Sequence, residues 1–221
     1  MEQIKQLREI TGAGMVDCKK ALDEAGGDLD KAVEILRKKG IAKSAKRGDR
    51  ETNEGVVKVL VNNNNTEGYV LEINSETDFV ARNEKFQELG DKILVVISEK
   101  KPQNLEELLA LALDGNTVKE QVDNLSGVIG EKLAIKRFAI LSGETVSAYS
   151  HLGGKIGVLV ALDQTDKKQL AEDIAMHVAA ANPKYITPEE VPSEEIEKEK
   201  DIYREQLAKE GKTGDMVEKI M

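Results

Sequence analysis

Residues 54–80 read EGVVKVLVNNNNTEGYVLEINSETDFV. Val56, Val57, Val59, Leu60 and Val61 are β-favouring, and so are Tyr69, Val70, Leu71 and Ile73. The four asparagines 62–65 between them form a turn-prone break. Together they predict a β-hairpin over 54–74. Thr77-Asp78-Phe79-Val80 then makes a turn, after which Phe86, Leu89, Ile93, Leu94, Val96 and Ile97 recur at helical spacing.

Moving outward, the same order returns about ninety residues later. Thr145, Val146, Ala148 and Tyr149 predict a strand, Gly153-Gly154 a turn, and 156–162 a second strand. Leu170, Ile174, His177 and Val178 then share helical spacing. The fold class expected is therefore α+β, with a two-part core of antiparallel sheets over 54–143 and 144–187. Two helical stretches, about 104–114 and 117–128, and a strand over Leu133–Leu141 link the halves.

Upstream, residues 1–39 show three short helical faces: Ile4, Leu7 and Ile10; Met15, Cys18 and Leu22; Leu29, Ala32, Val33 and Leu36. Thr11-Gly12-Ala13-Gly14 and Gly26-Gly27-Asp28 separate them, as expected of a three-helix, ubiquitin-associated-like docking module. Residues 40–53 read as a basic linker, flexible or partly helical. The cations Arg37, Lys38, Lys39, Lys43, Lys46, Arg47 and Arg50 cluster around it and read as a solvated run. Downstream, 188–221 is rich in Glu and Lys with sparse apolar positions, and Gly211 and Gly214 divide it into two segments of a helical hairpin. A stripe of this kind suits either a coiled-coil partner or a solvated terminal helix.

Composition narrows the function. The 32 Lys and Arg against 41 Asp and Glu leave a net charge of −9, which argues against a general phosphate-backbone binder. Cys18 is the sole cysteine, so no intramolecular disulfide can form, and the chain suits a reducing compartment. The N-terminus lacks the apolar stretch of a secretory signal, and no run approaches a membrane span. Cytoplasm is the expected location.

Catalytic chemistry is hard to assemble. His151 and His177 fall on different elements, and no Cys-x-x-Cys or His-x-x-His spacing exists, so neither a metal nor a cofactor is expected. Gly12-Ala13-Gly14 lacks a third glycine and follows a helix rather than a strand, unlike a dinucleotide loop. His177 is expected as a packed, hydrogen-bonded core histidine. His151, beside Gly153-Gly154, suits a contact role or a structural one equally. At the Thr77–Val80 turn two readings stand together. Asp78 is either a helix cap or an acid offered to a partner, and Phe79 is either core filler or a protruding wedge.

Longer motifs add a resemblance. TGAGMVDCKKAL (11–22), TDFVAR (77–82), His151 with Gly153–Val160, and Met176-His177-Val178-Ala179-Ala180 are similar, in order, to segments of the bacterial elongation factor Ts family. The resemblance implies a non-catalytic guanine-nucleotide exchange factor for elongation factor Tu, engaging its GDP-bound and nucleotide-free forms. It implies that the N-terminal module docks on the GTPase. Thr77, Asp78, Phe79 and Val80 then act beside that partner's Mg²⁺ and phosphates, with further contacts at Met15, Gly130 and His151. No direct nucleic acid or membrane partner is implied, and a homodimer or a 2:2 complex is left open. In the family's longer form more strands follow the helical hairpin, whereas this chain stops at Glu218-Lys219-Ile220-Met221. The expectation is a truncated or short form whose second sheet lacks an edge partner. Two rivals remain beside this reading: a docking scaffold without effect on nucleotide, and a small-molecule enzyme built on His151.

Overall fold

A computed structural model of the chain describes residues 1–45 and 47–211, with side chains for all of these except 41–45. The contacts divide it into two units, 1–180 and 181–221.

The first unit opens with α1 (Glu2–Thr11), α2 (Met15–Glu24) and α3 (Leu29–Ala45). Gly12 ends α1 in the left-handed region at φ 69°, donating its N–H to the Arg8 carbonyl, a conformation glycine adopts without Cβ strain. Leu7, Cys18, Ala21, Leu22 and Ala32 form a small core. Ile10 and Met15, expected on inward faces, are 60% and 54% exposed.

The hairpin follows as β1 (Glu54–Val61) and β2 (Glu67–Ser75). Next come α4 (Asp78–Ala81), α5 (Glu84–Lys100), α6 (Leu105–Ala110), the two-residue strands β3 (Ala112–Leu113) and β4 (Asn116–Thr117), α7 (Val118–Ile129) and β5 (Leu133–Ser142). β2 lies between β1 and β5 in an antiparallel sheet. Leu71 and Ile73 of β2 are buried in the same cluster as Phe86, Ile93 and Ile97 of α5 and Leu108, Val118 and Val122 of α6 and α7. At about 25 cal/mol per Å² of apolar surface removed from water, this aliphatic cluster is the main source of the core's stability.

The second hairpin, β6 (Thr145–His151) and β7 (Ile156–Leu162), is antiparallel and is followed by α8 (Lys168–Ala181). Strand, turn, strand and helix thus recur in the expected order. The two hairpins touch through backbone: Val57 N–H donates to the Gly154 carbonyl at 2.6 Å, and Val146 N–H to the Asn65 carbonyl at 2.6 Å. Gly154 and Gly157 permit the approach, since a Cβ on either would fall 2.4 Å from a valine methyl of β1.

Several expectations need correction. The region 104–114 is not one helix; α6 ends at Ala110 and a miniature hairpin follows, turning at Asp114-Gly115 with φ of 49° and 77°. With the linker partly helical, one of the two states expected for it, α3 runs on past 39 to Ala45. It crosses α7 where Gly40 and Gly127 meet. Arg37 pairs with Glu120 of α7 at 2.9 Å, so the start of the basic run is not merely solvated. His177 is exposed, because α8 buries Ala171 and Ala175 and position 177 lies about 200° round from 175.

The second unit contains a short 3₁₀ turn, Pro188–Glu190, and α9 (Ser193–Lys209). Tyr185 donates its hydroxyl to Glu195 at 3.0 Å. The expected second segment of a helical hairpin lies outside the described residues. Among the described residues no helix is long and apolar enough to cross a membrane.

Candidate functional site

At the end of β2 the chain leaves the sheet at Ser75, and Thr77 is extended at φ −124°, ψ 157°. An extended residue with a hydroxyl suits the position before a helix, so Thr77 caps α4, its Oγ1 accepting from Val80 N–H at 3.5 Å. Asp78, for which a cap is one of the two expected roles, is instead the first helical residue. Its carboxylate pairs with Arg82 at 2.9 Å, one turn on.

A single helical turn presents two residues outward and two inward. Val80 and Ala81 are buried at 9% and 4%, while Phe79 is 82% exposed, so the core-filler reading of Phe79 does not hold. One exposed apolar side chain is ordinary by itself. What distinguishes Phe79 is the rigidity beneath it. Asn83 caps α5 immediately afterwards, accepting from Lys85 N–H at 3.0 Å, and Gln87 donates its side-chain amide back to the Ala81 carbonyl.

The upstream side is held by carboxylates. Glu131 accepts from Thr77 N–H at 3.0 Å and from the Thr77 hydroxyl at 2.6 Å. In return Glu76 accepts from Lys132 N–H at 2.6 Å and from the Arg50 guanidinium at 3.1 Å. Residues 76–77 and 131–132 therefore clasp each other reciprocally. The Lys132 amide, and next to it Arg50, hold the Glu76 carboxyl below its ordinary value despite the opposing effect of burial. Lys132 Nζ donates to the Gly48 and Arg50 carbonyls at 2.6 and 2.7 Å.

Behind the clasp, Arg47 is buried and donates to the Ser126 carbonyl and hydroxyl at 2.8 and 3.2 Å. Ser126 Oγ in turn donates to the Glu131 carbonyl at 2.6 Å. Arg47 and Arg50 thus belong to the site's scaffold rather than to a solvated linker. None of Arg47, Glu76, Ser126, Glu131 or Lys132 stood out in the sequence as a site residue. Nothing local marks two acids so distant along the chain as sharing one turn.

Gly130 and the His151–Gly154 turn lie at the same end of the sheet as Thr77. Ser75 lies across from both Glu54 and Leu133, so the turn after β2 sits at the starts of β1 and β5. Gly130, immediately before Glu131, ends α7 at φ 92° and is exposed. The turn from His151 to Gly154 reaches β1 through Val57, and Lys155 beside it pairs with Glu54. His151 itself accepts or donates through Nδ1 with the Tyr149 hydroxyl at 2.9 Å and stacks on that ring. Met15 begins α2, after the Thr11–Gly14 loop. That loop rests on the outer ends of α5 and α7, where a Cβ at Gly12 would lie 2.5 Å from Lys85 Nζ and 3.3 Å from Val128 Cγ1.

The arrangement offers a presented aromatic, an adjacent acid and left-handed glycine turns, and no group of three or more metal-ligating side chains is found among the described residues. The family model for elongation factor Ts matches residues 76–221, beginning at the clasp and covering more than half of the chain. The chain belongs to the elongation factor Ts family, translation factors that act on elongation factor Tu.

Proposed function

We propose that this chain binds GDP-bound elongation factor Tu and speeds GDP release by inserting the Thr77–Val80 turn beside the partner's Mg²⁺ and phosphates. The observation that carries the reading is Phe79, held 82% exposed on a helical turn that Thr77 caps at its start and Gln87 ties at its final carbonyl. Preorganisation of this kind lowers the ordering cost of binding. Phe79 acts as the wedge. Asp78 exchanges its Arg82 pair for contacts near the partner's metal, whose oxygen ligands it can disturb.

Linkage states the energetic requirement. A factor that prefers the nucleotide-free GTPase must weaken GDP binding by the same ratio. A thousandfold effect needs about 4 kcal/mol of differential binding. Displacing an ion that bridges and neutralises phosphates is a sufficient source. The chain breaks no bond and needs no cofactor, and a cytoplasmic site of action fits this role. In this scheme residues 1–39 dock on the GTPase, with Met15, Gly130 and His151 as additional contacts.

The test is stopped-flow release of fluorescent GDP from elongation factor Tu. The intact chain should accelerate release, and Phe79→Ala should lower the saturating rate about tenfold or more. No acceleration by the parent chain overturns the exchange reading. Binding without acceleration would make it a scaffold, and a Phe79→Ala variant as fast as the parent would remove the wedge.

A further inference from the structure

The clasp behind the wedge joins residues that no local pattern connects, and its centre is Glu131. Both carboxylate oxygens of Glu131 are engaged on one residue, Thr77, which is itself the cap of α4. The Glu131 backbone is fixed independently by Ser126, which Arg47 holds from the segment following α3. Thr77 Oγ1 therefore bonds in two directions, accepting from Val80 N–H while donating its proton to Glu131. With its proton committed, the hydroxyl keeps its lone pairs toward α4. We propose that Glu131 is a positioning residue for exchange, fixing Thr77 so that Phe79 and Asp78 stand in the orientation that enters the partner. This rests on the wedge reading of Phe79.

The orienting role has a physical basis beyond fold stability. The Glu131 contacts lie at the base of a four-residue helix whose internal hydrogen bonds are too few to hold its direction alone. Loss of the carboxylate frees the Thr77 N–H and hydroxyl together, and the turn can then rotate about residues 76–77. Glu76 and Lys132 still join the two segments, so the sheet remains paired while the turn loosens.

Two measurements test this on the full chain. In the free protein, hydrogen exchange followed by NMR should show the amides of 77–82 exchanging about tenfold faster in Glu131→Ala, with the β1–β2 amides unchanged. Glu131→Gln keeps an acceptor for the Thr77 amide but loses the second oxygen that takes the hydroxyl proton, so its exchange should fall between Glu131→Ala and the parent. Unchanged exchange at 77–82 in Glu131→Ala, or equal acceleration in both variants, overturns the positioning role whatever the function of Phe79. With elongation factor Tu, Glu131→Ala should lower the saturating GDP-release rate about tenfold, with its half-saturation concentration within about twofold of the parent. In a Phe79→Ala background the same substitution should cost clearly less than in the parent, because only the orientation of Asp78 is left to lose. An undiminished loss in that background overturns the proposal. If Phe79→Ala alone releases GDP at the parental rate, the wedge reading fails and this inference fails with it. That result is separable, because the exchange measurement does not involve the partner.

Discussion

At Gly130 a single residue serves two demands. Its φ of 92° ends α7 and turns the chain into Glu131, and its N–H donates to the Ser126 carbonyl at 2.9 Å. A Cβ there would meet nothing within 4 Å, so the cost of a side chain is backbone strain alone. Gly130→Ala should therefore lower stability by about 1–2 kcal/mol in urea unfolding. Gly130→Asn should cost less, since asparagine tolerates positive φ better. Equal costs for the two would place the penalty elsewhere than in φ. A contact with elongation factor Tu would add a rate defect beyond this strain. The neighbouring turn shows what a sequence can reveal at this scale. TDFV was visible as a turn, but four helical residues make too short a period to say which faces outward. Thr77 takes the cap because it is the residue that remains extended, and a string of letters cannot register that.

Between elements, the most restrictive contact is the crossing of α3 and α7. An added Cβ at Gly127 would lie 2.4 Å from the Gly40 Cα, whereas one at Gly40 would lie an ordinary 3.7 Å from the Gly127 Cα. Gly127→Ala should force the helices apart and cost about 1–3 kcal/mol, by analogy with overpacked cores. Gly40→Ala should be neutral or stabilising by up to about 1 kcal/mol, because alanine favours the helix. Thermal unfolding of the two variants checks the asymmetry, and equal destabilisation would show that the crossing differs from that described. Legibility follows the same division. The hairpin and α5 were readable because long aliphatic runs with clear periods define them. The extent of α3 was legible only in part, because a partly helical linker was open but nothing local says how far the helix runs until Gly127 is known to face Gly40. The β3–β4 hairpin carried a usable signal in Asp114-Gly115, a pair suited to positive φ at both positions, but its strands are too short to show alternation.

Over the whole molecule, Glu67, Glu76 and Glu120 are among the described carboxylates that join segments distant in sequence. Lys101 and then Tyr69 hydrogen-bond Glu67, the Lys132 amide and then Arg50 hold Glu76, and the Thr117 amide and then Arg37 hold Glu120. All three are held below the ordinary value of 4.5. The sign of the pH dependence follows from linkage. On acidification the unfolded chain takes up these protons first, so the stabilisation is complete above about pH 4.5 and is lost as pH falls through the folded values. The urea midpoint should stay level from pH 7 to about 5 and decline below about 4.5. Glu76→Gln isolates one contribution. Its side chain keeps an acceptor for the Lys132 amide but loses the charge facing Arg50, so it should be about 1–2 kcal/mol less stable at neutral pH. Because it has no proton to gain at position 76, its decline on acidification should be shallower, and the two curves should converge in acid. Parallel curves from about pH 7 to 3 would mean that Glu76 is not among the groups linking folding to protons. Convergence would show that the clasp beneath Phe79 contributes to the pH response of the whole fold.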